Sequence, residues 1–225
     1  MGPIGSGKST FVSHLTGAER KIGLQSCTSE IQIIKLQSPN SGYDVVFVDT
    51  PGFDDTHKSD TVILNSISDW LNETYNNQIL LSGILYFRRI SDNRMAGTPL
   101  KNLDMFQKLC GKKTLENVIL TTTMWDEVDE FTGNAREEEL KWKYWDYMLS
   151  KKSRISRFLN TRQSAWAVLD PILGSVHEER ALLLQTEMGE LKRCLPETSA
   201  GHGLFSTMEE LLKKEQHVLR RLREE

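Results

Sequence analysis

Residues 2–9 read Gly2-Pro3-Ile4-Gly5-Ser6-Gly7-Lys8-Ser9, which satisfies G-x-x-x-x-G-K-S, and Thr10-Phe11-Val12 behind them open a helix-like stretch. Glycines let main-chain N–H groups turn inward around phosphate oxygens, and a helix starting there adds its dipole to the attraction for an anion. Lys8 is placed to reach the outer phosphates, and the Ser9 hydroxyl to ligate Mg²⁺. The chemistry predicted from this motif is the holding of a polyphosphate.

Three later segments carry groups that such a ligand needs. Tyr43 to Asp49 is an apolar run ending in an acid, and Asp49-Thr50-Pro51-Gly52 completes D-x-x-G. A carboxylate at a strand's carboxyl end can hold a Mg²⁺-bound water, and Gly52 can offer its N–H to a terminal phosphate without a side chain in the way. Alone, the segment also reads as a buried strand running into a Pro-Gly turn. In the cluster Ser26-Cys27-Thr28-Ser29, Thr28 is the candidate to complete a metal shell when a third phosphate is present, while ordinary turn chemistry explains the cluster equally well. Val118 to Thr123 leads through Met124 and Trp125 to Asp126, whose carboxylate can accept from the N1–H and the exocyclic amine of guanine, a pair that adenine does not offer. The plainer reading of Asp126 is the polar start of a loop that also holds Glu127, Asp129 and Glu130.

Strands and helices must bring these segments together. Apolar or β-branched runs between turn residues predict strands at Ile31–Leu36, Tyr43–Asp49, Ile79–Phe87, Asn117–Thr122 and Ile155–Phe158. Apolar residues three and four apart predict helices at Ser9–Leu15, Thr61–Tyr75, Leu100–Leu109 and Arg136–Leu149. Alternation of the two kinds implies a layered α/β fold with crossover connections. From Ser164 the pattern turns helical through Leu169, Leu173, Val176, Leu183 and Leu191. It breaks at Pro196–Gly203 and resumes through Met208, Leu211, Leu212, Leu219 and Leu222, as in a helical hairpin.

Composition removes several classes. Lys and Arg total 28 against 31 Asp and Glu, a net charge of −3, which supplies no field to hold a polyanion by counterion release, so nucleic acid is not the expected ligand. Cys27, Cys110 and Cys194 lie far apart, in neither a disulfide nor a metal-ligand pattern, which points to the reducing cytoplasm. The longest nearly apolar run, Ile79 to Phe87, is far short of the ~20 residues that cross a bilayer. Neither a secretory leader nor a lipidation pattern follows Met1.

The order of phosphate loop, Thr, D-x-x-G, T-x-x-D and then Ser164-Ala165 resembles the signature of the GTPase branch of the P-loop proteins. More narrowly, GPIGSGKSTFV, LQSCTSEIQ, DTPGFDD, GILYFRRISDNRMAG and TTTMWDE resemble the septin-related avirulence-induced and immunity-associated GTPases, especially the single G-domain proteins of mushroom-forming fungi. The resemblance spans residues 1 to about 170. It implies a three-layer G domain over 1–170 with a helical extension over 171–225. It further implies phosphate contacts from Gly5, Ser6, Gly7, Lys8, Ser9 and Thr10, with Ser9 and Thr28 on Mg²⁺ and Asp49 in its outer shell. Gly52 would sense the γ-phosphate, Thr123 and Asp126 would serve the base, and Ser164-Ala165 would lie beside the base through main-chain contact. In catalysis the roles implied fall to Lys8, Thr28 and Gly52.

Three departures modify that expectation. Met124 stands where such proteins carry a Lys along the base, so thioether packing remains and a polar tether is missing. Phe53 follows Gly52 where many signalling GTPases place a water-orienting Gln. The strand that ordinarily precedes the phosphate loop is absent, which is read as a shortened form of a longer product, the alternative being that Ile31–Leu36 and helices rearrange to cover the gap. Arg88, Arg89 and Arg94 are candidates for stabilising charge in trans, or else structural arginines. The expected function is binding of Mg²⁺·GTP with slow hydrolysis to GDP and phosphate. Thr28 and the loop Phe53–Ser59 would be ordered by GTP. The alternatives are a nucleotide-dependent self-association module with negligible turnover, an ATP-using P-loop protein, or a chain that binds nothing. A homodimer through the G domain or the helical extension remains open.

Overall fold

The computed structural model describes residues 1–17, 30–38, 42, 44–55, 58–174, 180–205 and 212. Thr28 and its cluster, the loop positions 56–57 and most of the tail beyond 205 lie outside the described residues. Strands β1 (Gln32–Gln37) and β2 (Asp44–Asp49) form an antiparallel hairpin in which Gln32 faces Asp49. Strands β3 (Ile84–Arg89), β4 (Val118–Thr123) and β5 (Arg154–Arg157) form a parallel sheet with β4 in the centre. All six residues of β4 are buried, which is what its unbroken β-branched and apolar run predicts for a strand covered on both faces.

Helices cover the two faces. On one side α1 (Lys8–Thr16) and α6 (Arg162–Leu173) bury Phe11, Leu15, Ala165, Trp166 and Leu169 against Phe87, Ile119 and Phe158. Phe11 is the hub of that layer, its ring edge-on to Phe87 at 5.1 Å and to Phe158 at 5.2 Å. On the other side lie α2 (Asp60–Asn76) and α3 (Thr98–Cys110), together with α4 (Glu130–Glu139), which runs through a π turn at Leu140–Tyr144 into α5 (Asp146–Ser150). The result is the three-layer α/β architecture that the alternation of elements implies.

Some boundaries differ from the expectation for physical reasons. The strand expected from Ile79 begins only at Ile84, because Gln78 takes a left-handed φ of 59° and Ile79 donates back to the Thr74 carbonyl, so the chain is still leaving α2. The helix expected from Arg136 starts at Glu130, capped by Asp129, whose side chain accepts from the Thr132 amide at 2.8 Å. The break expected at Pro196–Gly203 is a 3-10 turn at Leu195–Glu197, and Gly201 and Gly203 lie within helical residues 199–205. Residue 170 falls inside α6. Beyond it Leu182, Leu184, Leu195 and Ala200 are buried in the same core as α2 and α3.

The hairpin and the parallel sheet share no direct ladder. Residues 1–4 bridge them at one end. On the β3 side the Met1 nitrogen donates to the Leu85 carbonyl at 2.7 Å and the Phe87 amide donates to the Met1 carbonyl at 2.9 Å. On the other side the Phe53 amide donates to Gly2 at 3.3 Å and the Ile4 amide to Phe53 at 2.8 Å, a parallel pattern on both flanks. Below that bridge, β2 and β3 face each other across a cavity of about 440 Å³, walled by Val46, Val48, Trp70, Leu85 and Ile172.

Candidate functional site

The phosphate loop passes between the end of β2 and the ends of β3 and β4. Gly7, at φ 85°, is the left-handed entry to α1, and an added Cβ would sit 3.5 Å from Thr123 Cγ2 and 3.6 Å from Met124 Cε. Gly52 is packed more tightly: a Cβ there would be 2.8 Å from both the nitrogen and Cα of Ile4 and 2.9 Å from Lys8 Nζ. The D-x-x-G turn thus rests directly on the phosphate loop, with the lysine ammonium against the glycine.

Lys8 is buried and donates from Nζ to the carbonyls of Gly2 at 3.1 Å and Pro3 at 2.9 Å. Burial lowers its pKa from 10.5 to about 8, and the carboxylates of Asp49 and Asp55 oppose that shift. A buried ammonium held by two carbonyls is a group whose charged form an arriving anion would stabilise. Ser6 is fully buried and its Oγ, like Thr50 Oγ1, meets no hydrogen-bonding partner among the described residues. Thr10 is half-buried in the first turn of α1.

Ser9 Oγ donates to Asp49 Oδ2 at 3.1 Å, which brings a hydroxyl and a carboxylate, both hard oxygen donors, together beside the loop. That set fits Mg²⁺, which keeps several waters and uses few protein ligands alongside phosphate oxygens. Among the described residues no group of three or more His, Cys, Asp and Glu forms an all-protein metal cage.

On the far side of the loop, Thr123 Oγ1 donates to the Ser6 carbonyl at 3.0 Å, tying the end of β4 to the phosphate loop. Met124 has a left-handed φ of 58°, and its Cε methyl lies beside Gly7, 3.6 Å from where a Cβ would stand. Asp126 is exposed in the 3-10 turn Trp125–Glu127 that follows. The structure therefore brings the phosphate loop residues Gly5, Ser6, Gly7 and Lys8, with Ser9 and Thr10 at the start of α1, against Asp49, Gly52 and Thr123 at the carboxyl ends of β2 and β4, and Asp126 follows three residues beyond Thr123.

Ser164 and Ala165 do not take the expected place. Ser164 forms a capping box with Thr161, its amide donating to Thr161 Oγ1 at 3.1 Å, and the Ala165 amide donates to the Thr161 carbonyl at 3.0 Å. Both N–H groups are engaged by the helix start, and the Ala165 side chain lies in the core, so neither offers a main-chain donor to a base. The segment leaving β5 is Phe158–Asn160, where Asn160 has a φ of 55° and meets His14 Nε2 through Oδ1 at 2.9 Å. A left-handed Asn after a strand is a turn signal the sequence contained.

The three candidate arginines differ in their surroundings. Arg89, at the end of β3, brings its guanidinium to 3.4 Å from where a Gly5 Cβ would stand and pairs with Asp92 at 2.9 Å. Arg88 is structural, with Asp92 at 3.0 Å and the Arg94 carbonyl at 2.8 Å, whereas the Arg94 side chain is exposed. Phe53 is 1% exposed, part of the hydrophobic core, and so cannot handle water beside Gly52.

Comparison with known proteins follows this geometry. Residues 1–100 match the family model described as 50S ribosome-binding GTPase. Among solved structures, Toc33 from Arabidopsis thaliana in complex with GDP and Mg²⁺ superposes with a TM-score of 0.61 at 16% identity, over 81% of this chain and 84% of that one. Its complex with Mg²⁺ and GMPPNP gives 0.58 at 17% identity, over 78% and 83%. A structure of the chloroplast translocon components atToc33 and psToc159, for which dimerization is important for GTPase activity, gives 0.63 at 15% identity, over 81% and 83%. Identities this low speak for the fold, which is that of the P-loop GTPases. No curated protein matches the chain. No helix among the described residues is long and apolar enough to cross a membrane.

Proposed function

We propose that this chain is a GTP-binding switch that binds Mg²⁺·GTP and hydrolyses it slowly to GDP and phosphate. The observation that carries the reading is the placement of buried Lys8 against Gly52, with the Ser9–Asp49 pair on one side and the Thr123–Asp126 loop on the other. The GTPase family model over residues 1–100 and the likeness to Toc33 bound to GDP or GMPPNP support it.

In this mechanism the loop amides and the Lys8 ammonium receive the β- and γ-phosphates and stabilise the charge that grows on their oxygens as the γ-phosphoryl group departs. Ser9 would hold the Mg²⁺ directly and Asp49 through water, the ion supplying charge neutralisation between phosphates when bound. The Gly52 amide registers whether the γ-phosphate is present, and its turn transmits the difference to Asp54 and α2. Asp126 accepts from the guanine edge, which selects GTP over ATP. Phe53, the residue after Gly52, is in the core and does not orient the attacking water. Intrinsic turnover is therefore expected in the slow range typical of unassisted GTPases, on the order of 10⁻⁴ s⁻¹.

The buried Phe53 also favours a second reading, a nucleotide-dependent self-association module with negligible turnover. The dimerization noted for atToc33 and psToc159 is compatible with either reading. Within the P-loop GTPases, the septin-related avirulence-induced type and the fungal single-domain proteins are the assignment we favour on the sequence blocks, with a cytoplasmic location to match the free thiols Cys110 and Cys194.

The test is the affinity for GTP, GDP and ATP with Mg²⁺, by displacement of a fluorescent guanine nucleotide, in the native chain and in Lys8→Ala and Asp126→Asn. Retention of guanine nucleotide by Lys8→Ala equal to the native chain would overturn the reading. Asp126→Asn should lose preference for GTP and gain it for xanthosine triphosphate, whose 2-oxo group accepts from an amide. Phosphate release that rises with protein concentration supports hydrolysis in a dimer. Bound GTP that persists unhydrolysed at high concentration supports the module.

A further inference from the structure

The loop that carries Asp126 has no cation at position 124, yet it holds Met124 in a left-handed conformation and presents Asp126 from a short 3-10 turn. Two contacts fix its start: Thr123 Oγ1 donates to the Ser6 carbonyl at 3.0 Å, and the Met124 Cε methyl sits beside Gly7, 3.6 Å from where a Cβ would stand. A third fixes Trp125, the residue next to Asp126. The Trp125 Nε1–H donates to Thr122 Oγ1 at 3.0 Å, and its ring edge lies so close to α4 that a Cβ on Gly133 would be 2.7 Å from it. The guanidinium of Arg157 lies over the indole face at 4.0 Å.

Arg157, the last residue of β5, is itself held in a plane. Its Nε and one terminal nitrogen donate to the two carboxylate oxygens of Glu137 at 2.9 Å and 2.6 Å, and that terminal nitrogen also reaches Asn134 Oδ1 at 3.0 Å. Glu137, on α4, is 3% exposed and is also met by Lys141 at 3.2 Å and by the Thr122 hydroxyl at 3.4 Å. Burial would push the Glu137 carboxyl up, but Arg157 and Lys141 outweigh it and hold it below its ordinary value. A fork held bidentately and stacked on an aromatic face has one orientation, which a lysine in its place could not reproduce. The stack thereby joins α4, the end of β5 and the indole that leads into Asp126.

We propose that Glu137, Arg157 and Trp125 are positioning residues that set the Asp126 carboxylate for the guanine edge, supplying the rigidity that a cation at position 124 would otherwise give. This rests on the reading of Asp126 as base reader. The ligand feature selected is the 2-amino group of the purine, so the discriminating pair is GTP and inosine triphosphate, which differ only there.

The test is competition of GTP, inosine triphosphate and ATP against one fluorescent guanine nucleotide, with Mg²⁺, in the full chain and in Arg157→Lys and Glu137→Gln, alongside thermal melting. The affinity ratio of GTP to inosine triphosphate is insensitive to the fraction of folded protein, so partial unfolding of a variant does not mask the result. The expected outcome is a fall of about tenfold in that ratio in both variants, with ATP affinity within about twofold of the native chain. An unchanged ratio, whatever the change in melting temperature, would make the stack merely structural and overturn the proposal. Gly133→Ala, which presses on the same indole, should move the ratio in the same direction. A native chain that binds GTP and inosine triphosphate equally would instead overturn the base-reader reading, and one that binds neither would overturn the switch itself.

Discussion

The two halves of the site are held very differently. On the base side, β4 is buried along its whole length between β3 and β5, and its exit loop is tied to the phosphate loop, to α4 and, through Arg157, to β5. On the side of Asp49 and Gly52, both hang from a hairpin whose Ile33 is 61% and Val46 51% exposed, and among the described residues its backbone is joined to the parallel sheet through residues 1–4, above a cavity. A single ligand would span both. Under the proposed function, recognition of the base would be built into a preformed corner, whereas response to the γ-phosphate would fall to a hairpin in which no apolar strand residue is fully buried.

The largest effect that probes this contrast is on stability. Leu120→Ala, in the fully buried β4, should cost about 2–5 kcal/mol of unfolding free energy, whereas Val46→Ala in the hairpin should cost less than about 1. Urea denaturation measures both, and equal costs would break the comparison. Amide hydrogen exchange should agree, with β4 opening only on global unfolding and β1–β2 opening earlier.

Next in size, Gly52→Ala should weaken Mg²⁺·GTP binding at least tenfold, or about 1.4 kcal/mol, because the methyl group meets the Ile4 backbone and Lys8 Nζ at under 3 Å. The preference for GTP over inosine triphosphate should survive it. Loss of that preference would mean that the two halves do not act separately.

A smaller effect concerns protons. With its pKa lowered from 10.5 to about 8 by burial, Lys8 is less protonated in the folded, empty chain than in the unfolded one. Its destabilising contribution is fully present below pH 8 and is relieved as pH rises toward 10.5. A triphosphate restores the charge, so binding at pH 8 should take up about half a proton and at about pH 6.5 almost none. Calorimetry in buffers of different ionisation enthalpy reads this directly, and buffer-independent heats at pH 8 would show the empty loop already charged. Smallest of all, Phe131→Ser, on the outer face of α4 with Phe131 84% exposed, should leave stability within about 0.5 kcal/mol in the same urea assay.

Much of this architecture was readable from local pattern. The runs that became β2 and β4 and the stretches that became α1, α2 and α3 are contiguous, strongly patterned segments, and the phosphate loop, D-x-x-G and T-x-x-D are complete within a few residues each. What escaped depends on distance or on capping. Glu130–Arg136 carries too few apolar residues to register a helical period, so the start of α4 rests on Asp129 alone. Ser164-Ala165 matches a short, unspecific pattern, and the same small residues serve a helix cap. Arg157 and Glu137 lie 20 positions apart and become partners only once α4 has folded back along β5. Thr28 lies outside the described residues, so its reading stays a proposal.

Under the proposed function, the ring of Phe53, locked in the core beside the glycine that would feel the third phosphate, would separate perceiving the triphosphate from destroying it. In a switch of the proposed design the dwell time of the active state would be set from outside the chain, by a surface that presents a water-directing or charge-balancing group to the site.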